Sequence, residues 1–106
     1  GLGLADLDTL EINEAFAAQA LGCLAAWESD AYCKEQLGLA GAFGKMDRAK
    51  FNPDGGAIAV GHPIGASGAR VVLHALKTLE RTGGKRAAAS LCIGGGQGGA
   101  MLLERA

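Results

Sequence analysis

Along the chain the spacing of apolar and polar positions changes several times, and each change marks a predicted element. Leu7 to Ile12 alternates imperfectly and stops at Asn13, which predicts a strand ending in a turn. Glu14 to Leu21 then opens an alanine-rich helix, with Glu14 in the first turn complementing the helix dipole. Phe16, Ala20, Cys23 and Trp27 fall on one face of that helix, which makes Cys23 a small core residue. From Glu28 to Lys50 the pattern weakens. Ser29 and Asp30 can cap a short helix through Cys33 and Leu37, after which Gly38, Gly41 and Gly44 interrupt it. Charged residues are dense there, so residues 28–50 read as a solvated surface excursion, with Cys33 an incidental thiol.

The second half is sharper. Ala57 to Val60 is a short apolar run that predicts a buried strand, broken by Gly61 and Pro63, so that His62 falls on a loop at the strand's carboxyl end. In open α/β sheets that edge is where ligands bind. From about Ser67, the residues Val71, Val72, Ala75, Leu76 and Leu79 recur at helical spacing, and the helix stops at Thr82-Gly83-Gly84. His74 lies away from this stripe, reads as a surface or boundary residue, and receives no chemistry. Ala87 to Ile93 and Ala100 to Leu103 are short apolar strands joined by a glycine run, a pattern expected to pair antiparallel. The succession predicts an α/β fold over residues 1–106, with a mixed, mostly parallel sheet and no internal repeat or linker.

Composition narrows the reading. The 106 residues are 49% hydrophobic, and the 18 glycines cluster around 55–68 and 94–99, as turns do where backbone approaches something closely. A net charge of -1 with scattered Lys and Arg argues against nucleic acid. No apolar run is long enough to span a membrane, and the first residues lack the regions of a signal peptide. The chain begins without methionine, and a piece of a longer protein is expected. Cys23, Cys33 and Cys92 form no C-x-x-C and no zinc-like cluster, so reduced thiols in the cytoplasm and no metal are expected.

Gly94, Gly96 and Gly99 satisfy G-x-G-x-x-G, but no helix or acidic strand can follow them before the last residue, and Gly83-Gly84-Lys85 lacks the rest of a P-loop. More informative is a conjunction. Asn13, His62 and Cys92 each come at or just past the end of a predicted strand, and each is followed by a glycine turn or a helix start. A thiol and an imidazole can exchange protons near neutral pH, an asparagine can orient a water or a carbonyl, and the glycines after Cys92 free N–H groups for an oxyanion. Taken singly, simpler structural accounts outweigh these: Asn13 as a helix N-cap, His62 as a turn residue, Cys92 as a buried strand residue. The residues alone thus support a candidate acid/base site with a possible oxyanion hole.

Asn13-Glu14-Ala15-Phe16, the block from Gly55 to Arg70, and Cys92-Ile93-Gly94-Gly95-Gly96-Gln97-Gly98 resemble, in order, the three signature blocks of the C-terminal half of the thiolase family. The resemblance covers nearly all of the chain except residues 28–50. It implies acyl transfer between 3-ketoacyl-CoA and coenzyme A through a cysteine thioester, with coenzyme A as substrate and no separate cofactor. By the match, His62 would activate the nucleophilic cysteine and, with Asn13, form an oxyanion hole. Cys92 would move the proton at the substrate carbon, Gly94 would donate to a second oxyanion hole, and Phe16 would line the acyl pocket. The family's nucleophilic cysteine and the first strand of its five-stranded C-terminal half have no counterpart here. An N-terminal half is therefore the expected partner, and the chain alone is expected to be inactive. The missing strand implies unpaired edges within the sheet and self-association. The alternatives are a non-catalytic module that binds CoA thioesters, or a structural fragment packed on another chain.

Overall fold

A computed structural model describes residues 1–106. Its elements are β1 (Thr9–Ile12), α1 (Ala17–Glu28), α2 (Asp30–Leu37), α3 (Ala57–Val60), α4 (Ile64–Thr82), β2 (Arg86–Ile93) and β3 (Gln97–Glu104). The three strands make one mixed sheet in the order β1-β2-β3, with β1 parallel to β2 and β2 antiparallel to β3. This is the expected α/β architecture with an antiparallel last strand.

Alternation on the strands builds two cores, one on each face of the sheet. Leu10 and Ile12 face Leu24 of α1 together with Leu4, Leu7 and Met46, and Cys23, Trp27 and Ala88 pack against them. Ala87 and Ala89 point the other way, to Val71, Ala75 and Leu79 of α4. Full burial of a residue such as Leu79 stabilises the fold by about 1.5–3 kcal/mol. Small alanines on β2 let α4 lie close to the sheet. Gly83, at φ 76°, ends that helix in the left-handed conformation that glycine adopts without a Cβ clash.

The sheet has no gap in its middle, contrary to the expectation of unpaired internal edges. β1 and β2 pair directly in register Thr9↔Ala87 to Ile12↔Ser90, since two free edges brought side by side satisfy each other. The other edge of β1 is also occupied. Phe51 bridges Leu10, the Asn52 N–H donates to the Leu10 carbonyl, and the Asn52 side chain stands in for a neighbouring strand. Its Oδ1 accepts from the Ile12 N–H at 2.8 Å and its Nδ2 donates to the Ile12 carbonyl at 2.8 Å. Asn52 is buried and has φ 42°, a conformation asparagine tolerates better than most residues. β3 forms the sheet's free edge.

Three local expectations are corrected. Ala57–Val60 is one turn of helix, not a buried strand: Ala57 is buried, but Ile58 and Val60 are exposed. Four apolar residues carry no period long enough to separate strand from helix, and the flanking Gly55 and Gly61, both at positive φ, let the chain turn tightly. Second, α1 starts at Ala17, so Glu14 lies outside its first turn, and its carboxylate instead accepts the Ile58 N–H at 3.4 Å. Phe16, the N-cap residue, is 76% exposed and does not join Ala20 on the buried face. Third, the 28–50 excursion is fastened from beneath. Cys33 is fully buried, accepting the Phe43 N–H at 3.3 Å and donating to the Ala26 carbonyl at 3.4 Å, and Met46 enters the core. Its sulfur serves as a hydrogen-bond hub for the turn. Ser29 caps α2 as expected, accepting from the Tyr32 N–H.

Candidate active site

Parallel pairing of β1 and β2 brings the ends of both strands to one edge. The Asn13 N–H donates to the Ser90 carbonyl at 2.9 Å, so Asn13 stands level with the last residues of β2, where Cys92 is next to last. His62 reaches the same edge from the link between α3 and α4, not from a strand end as its surroundings in the sequence implied.

A hydrogen-bonded row fixes His62. Its Nδ1 lies 2.7 Å from Ser67 Oγ, which itself donates to the Pro63 carbonyl at 3.1 Å. A hydroxyl has one proton. With that proton spent on Pro63, Ser67 accepts from an Nδ1–H, and Nε2 keeps its lone pair. Asn13 Nδ2, on a side chain that is itself buried, lies 3.4 Å from Nε2 and 3.5 Å from Nδ1, so it packs against the ring without singling out one nitrogen. Ser67 is fully buried in the first turn of α4, and Arg70 holds the Gly61 carbonyl at 2.7 Å, so the chain on both sides of His62 is tied down. Ser67 thus orients the ring from behind and leaves Nε2 as its acceptor nitrogen, with Asn13 against the ring. Asn13 Oδ1 is buried with no partner among the protein's groups, and a buried carbonyl oxygen of this kind needs one.

His62 and Cys92 share a cleft of about 420 Å³, walled by Ile64, Gly65 and Gly68 on the α4 side and by Leu91, Ile93 and Gly94 on the β2 side. Cys92 is exposed and also borders a second cleft of about 370 Å³ that holds Gln19 and Cys23 of α1. Gly94, Gly95 and Gly96 turn the chain with φ of 63°, 79° and 71°, three successive left-handed residues that glycine alone adopts readily. The structure thus brings Asn13 against His62 and sets Cys92 and Gly94 across the cleft from His62. Phe16 stands apart, projecting from the start of α1 and lining neither cleft.

Ser67 and Asn52 were not picked out from the sequence, although one orients His62 and the other braces the strand before Asn13. A serine five residues after the histidine, at the start of a helix, was the available sign for Ser67. His74, a surface or boundary residue by its spacing, has more partners than that spacing implies. Its side chain is 32% exposed, yet it contacts two carboxylates, Glu11 at 2.7 Å and Asp54 at 3.0 Å.

With this geometry in place, similarity to known proteins decides the family. The family described as "Thiolase, C-terminal domain" matches residues 1–105. The chain belongs to the thiolase family. It is 53% identical to a beta-ketoadipyl-CoA thiolase of Acinetobacter baylyi and 48% identical to a 3-ketoacyl-CoA thiolase of Pectobacterium atrosepticum, each over 104 residues. Those alignments cover 98% of this chain but only 22% and 24% of the two thiolases. The crystal structure of human mitochondrial 3-ketoacyl-CoA thiolase in complex with CoA superposes with a TM-score of 0.73 at 43% identity, covering all of this chain and 23% of that one. The chain therefore spans about a quarter of the length of the thiolases it matches.

Proposed function

We propose that this chain supplies the acid–base part of a thiolase site, acting in acyl transfer between a 3-ketoacyl-CoA and coenzyme A. The observation that carries the reading is that Ser67 and Asn13 both contact the His62 ring, and that His62 lines one cleft with Cys92. In this scheme a longer partner region contributes the nucleophilic cysteine. His62 Nε2 takes the thiol proton, the sulfur adds to the ketone carbon of the substrate, and the bond between the ketone carbon and the carbon next to the thioester breaks. Cys92 gives its proton to the departing carbon, then recovers one from the thiol of coenzyme A, whose sulfur attacks the acyl-enzyme and expels the nucleophilic cysteine, which takes back the proton held by His62. In the condensing direction Cys92 removes that carbon's proton instead. Asn13 Oδ1 accepts from a water that joins His62 in stabilising the first oxyanion, and the Gly94 N–H donates to the second. Phe16, exposed at the start of α1, contacts the acyl group when the longer protein is assembled.

The expected partner is the N-terminal region that the matched thiolases possess, and the chain works in the cytoplasm, where its thiols stay reduced. Self-association is expected through the free edge of β3; light scattering that gives a monodisperse monomer would remove that part of the proposal.

The test is complementation. With acetoacetyl-CoA and coenzyme A the isolated chain is expected to show no turnover. Joined to the N-terminal three-quarters of the Acinetobacter baylyi relative, it is expected to turn over, with His62→Ala and Cys92→Ala each lowering that turnover by on the order of 10²-fold or more. Turnover by the isolated chain that Cys92→Ala abolishes would refute the division of labour.

A further inference from the structure

A second row joins β1 to α4, one step behind the first. Glu11 on β1 and Asn13 just past its end lie two residues apart and so point to the same face of the sheet, while Ser67 and His74, seven apart, share a face of α4. α4 runs back along β1, so Ser67 reaches Asn13 through His62, and His74 reaches Glu11. The Glu11 side chain is 4% exposed. Its Oε1 lies 2.7 Å from His74 Nδ1, and the other ring nitrogen, Nε2, lies 3.0 Å from Asp54 Oδ2. Asp54 also accepts from the Arg81 guanidinium at 2.5 Å.

An ionised carboxylate can only accept, and a neutral imidazole carries one N–H. Two carboxylates on opposite ring nitrogens are both served when the ring holds two protons. The sequence Arg81, Asp54, His74, Glu11 then alternates in charge and sums to zero. Burial pushes the Glu11 carboxyl above its ordinary range, against the opposing pull of His74. The Arg81 hydrogen bond, with a smaller contribution from His74, holds Asp54 below its ordinary range. The charged groups that face this cluster are Glu11 and Glu14 from the β1 side, Asp54 from the loop, and Arg70 and Arg81 from α4. Of these, Arg70 is engaged with the Gly61 carbonyl.

Asp54 follows Asn52, whose side chain grips Ile12 immediately before Asn13. One imidazole thus ties together β1, the 52–56 loop and α4, around a cleft of about 180 Å³ that Asn13 also lines. We propose that His74 is a positioning residue whose doubly protonated ring clamps the end of β1 to the 52–56 loop and thereby sets Asn13 under His62. Losing one ring proton releases one of the two carboxylates and lets Asn13 shift. The importance of Asn13 rests on the function proposed above; the clamp itself is tested without turnover.

The experiment is NMR on the whole labelled chain. Its two histidines are His62 and His74, so in His62→Gln the one remaining imidazole is His74. The expected result is that the side-chain amide signals of Asn13 and Asn52 move in step with the His74 ring nitrogens across pH 5–9. In His62→Gln/Asp54→Asn the coupled movement should shrink, with the core signals of Leu24 and Leu79 unchanged. His74 titrating while the Asn13 amide stays still, or a ring with one bare nitrogen at the low end of that range, would overturn the proposal. If His62→Gln does not fold, wild type compared with Asp54→Asn gives the same decision, because only the His74-linked component of the Asn13 movement should change. Failed complementation with the Asn13–His74 coupling intact would count against the thiolase reading and leave the clamp standing.

Discussion

The two sides of the cleft are built differently. On the α4 side, His62 is held by Ser67, Asn13 is buried, and Asn52 and His74 brace the strand beneath. On the hairpin side, Cys92 near the end of β2 and Gly94, the first of three left-handed glycines, are exposed. Hydrogen bonds from helix, loop and strand converge on one wall, whereas the other rests on backbone geometry alone. In the reading proposed above His62 is the base, which must be aimed at a defined proton, and the wall that carries it is held in advance. The wall that carries Cys92 is exposed. The chain spans only 22–24% of its matched relatives, which agrees with a wall that awaits a neighbour.

This contrast can be broken most severely at His62. In the complemented protein His62→Ala is expected to lower kcat on the order of 10²–10⁴-fold, the usual contribution of a positioned base. Asn13→Ala, with Cα traces and melting compared alongside, is expected to cost on the order of 10²-fold if it supports an oxyanion. A loss no greater than that of a surface substitution would remove Asn13 from the site. Asn52→Ala sharpens the comparison through stability. It strips the Ile12 N–H and carbonyl of buried partners, so urea unfolding of the isolated chain should show a loss of about 2–3 kcal/mol. Ser67→Ala should leave the chain folded but lower kcat about tenfold, the equivalent of one lost orienting hydrogen bond.

The smallest effect concerns pH. The backbone N–H groups of Arg86 and Lys85 hold the Asp8 carboxyl below its ordinary range. The stability this contributes is fully present above the ordinary carboxylate range and is lost as pH falls through the lowered folded value. Acid titration of Asp8→Asn should therefore show a shallower low-pH limb than wild type, with the two curves parallel near neutrality.

Much of the first wall was hidden in the sequence because its parts meet across the fold. Asn52 and Ile12 are 40 residues apart and His74 and Glu11 are 63 apart, so no local spacing could join them. Asn13 and Cys92 were legible because a polar residue closing an apolar strand is a local signal, and parallel pairing then brought them to one edge. The α4 face was legible for the same reason, since Val71, Ala75 and Leu79 repeat over several turns. Ala57–Val60 was not, because four apolar residues between glycines fit a strand and a helical turn equally. Phe16 followed the helical spacing on paper, but the helix begins one residue later and leaves its ring outside.

The central claim is that the α4 wall is set before any partner or substrate arrives, with His62 presenting Nε2 as the acceptor. Ring-nitrogen NMR of the isolated chain reads this directly. The neutral ring of His62 is predicted to carry its proton on Nδ1 and to lose that preference in Ser67→Ala; a proton on Nε2 in the unaltered chain would contradict the account.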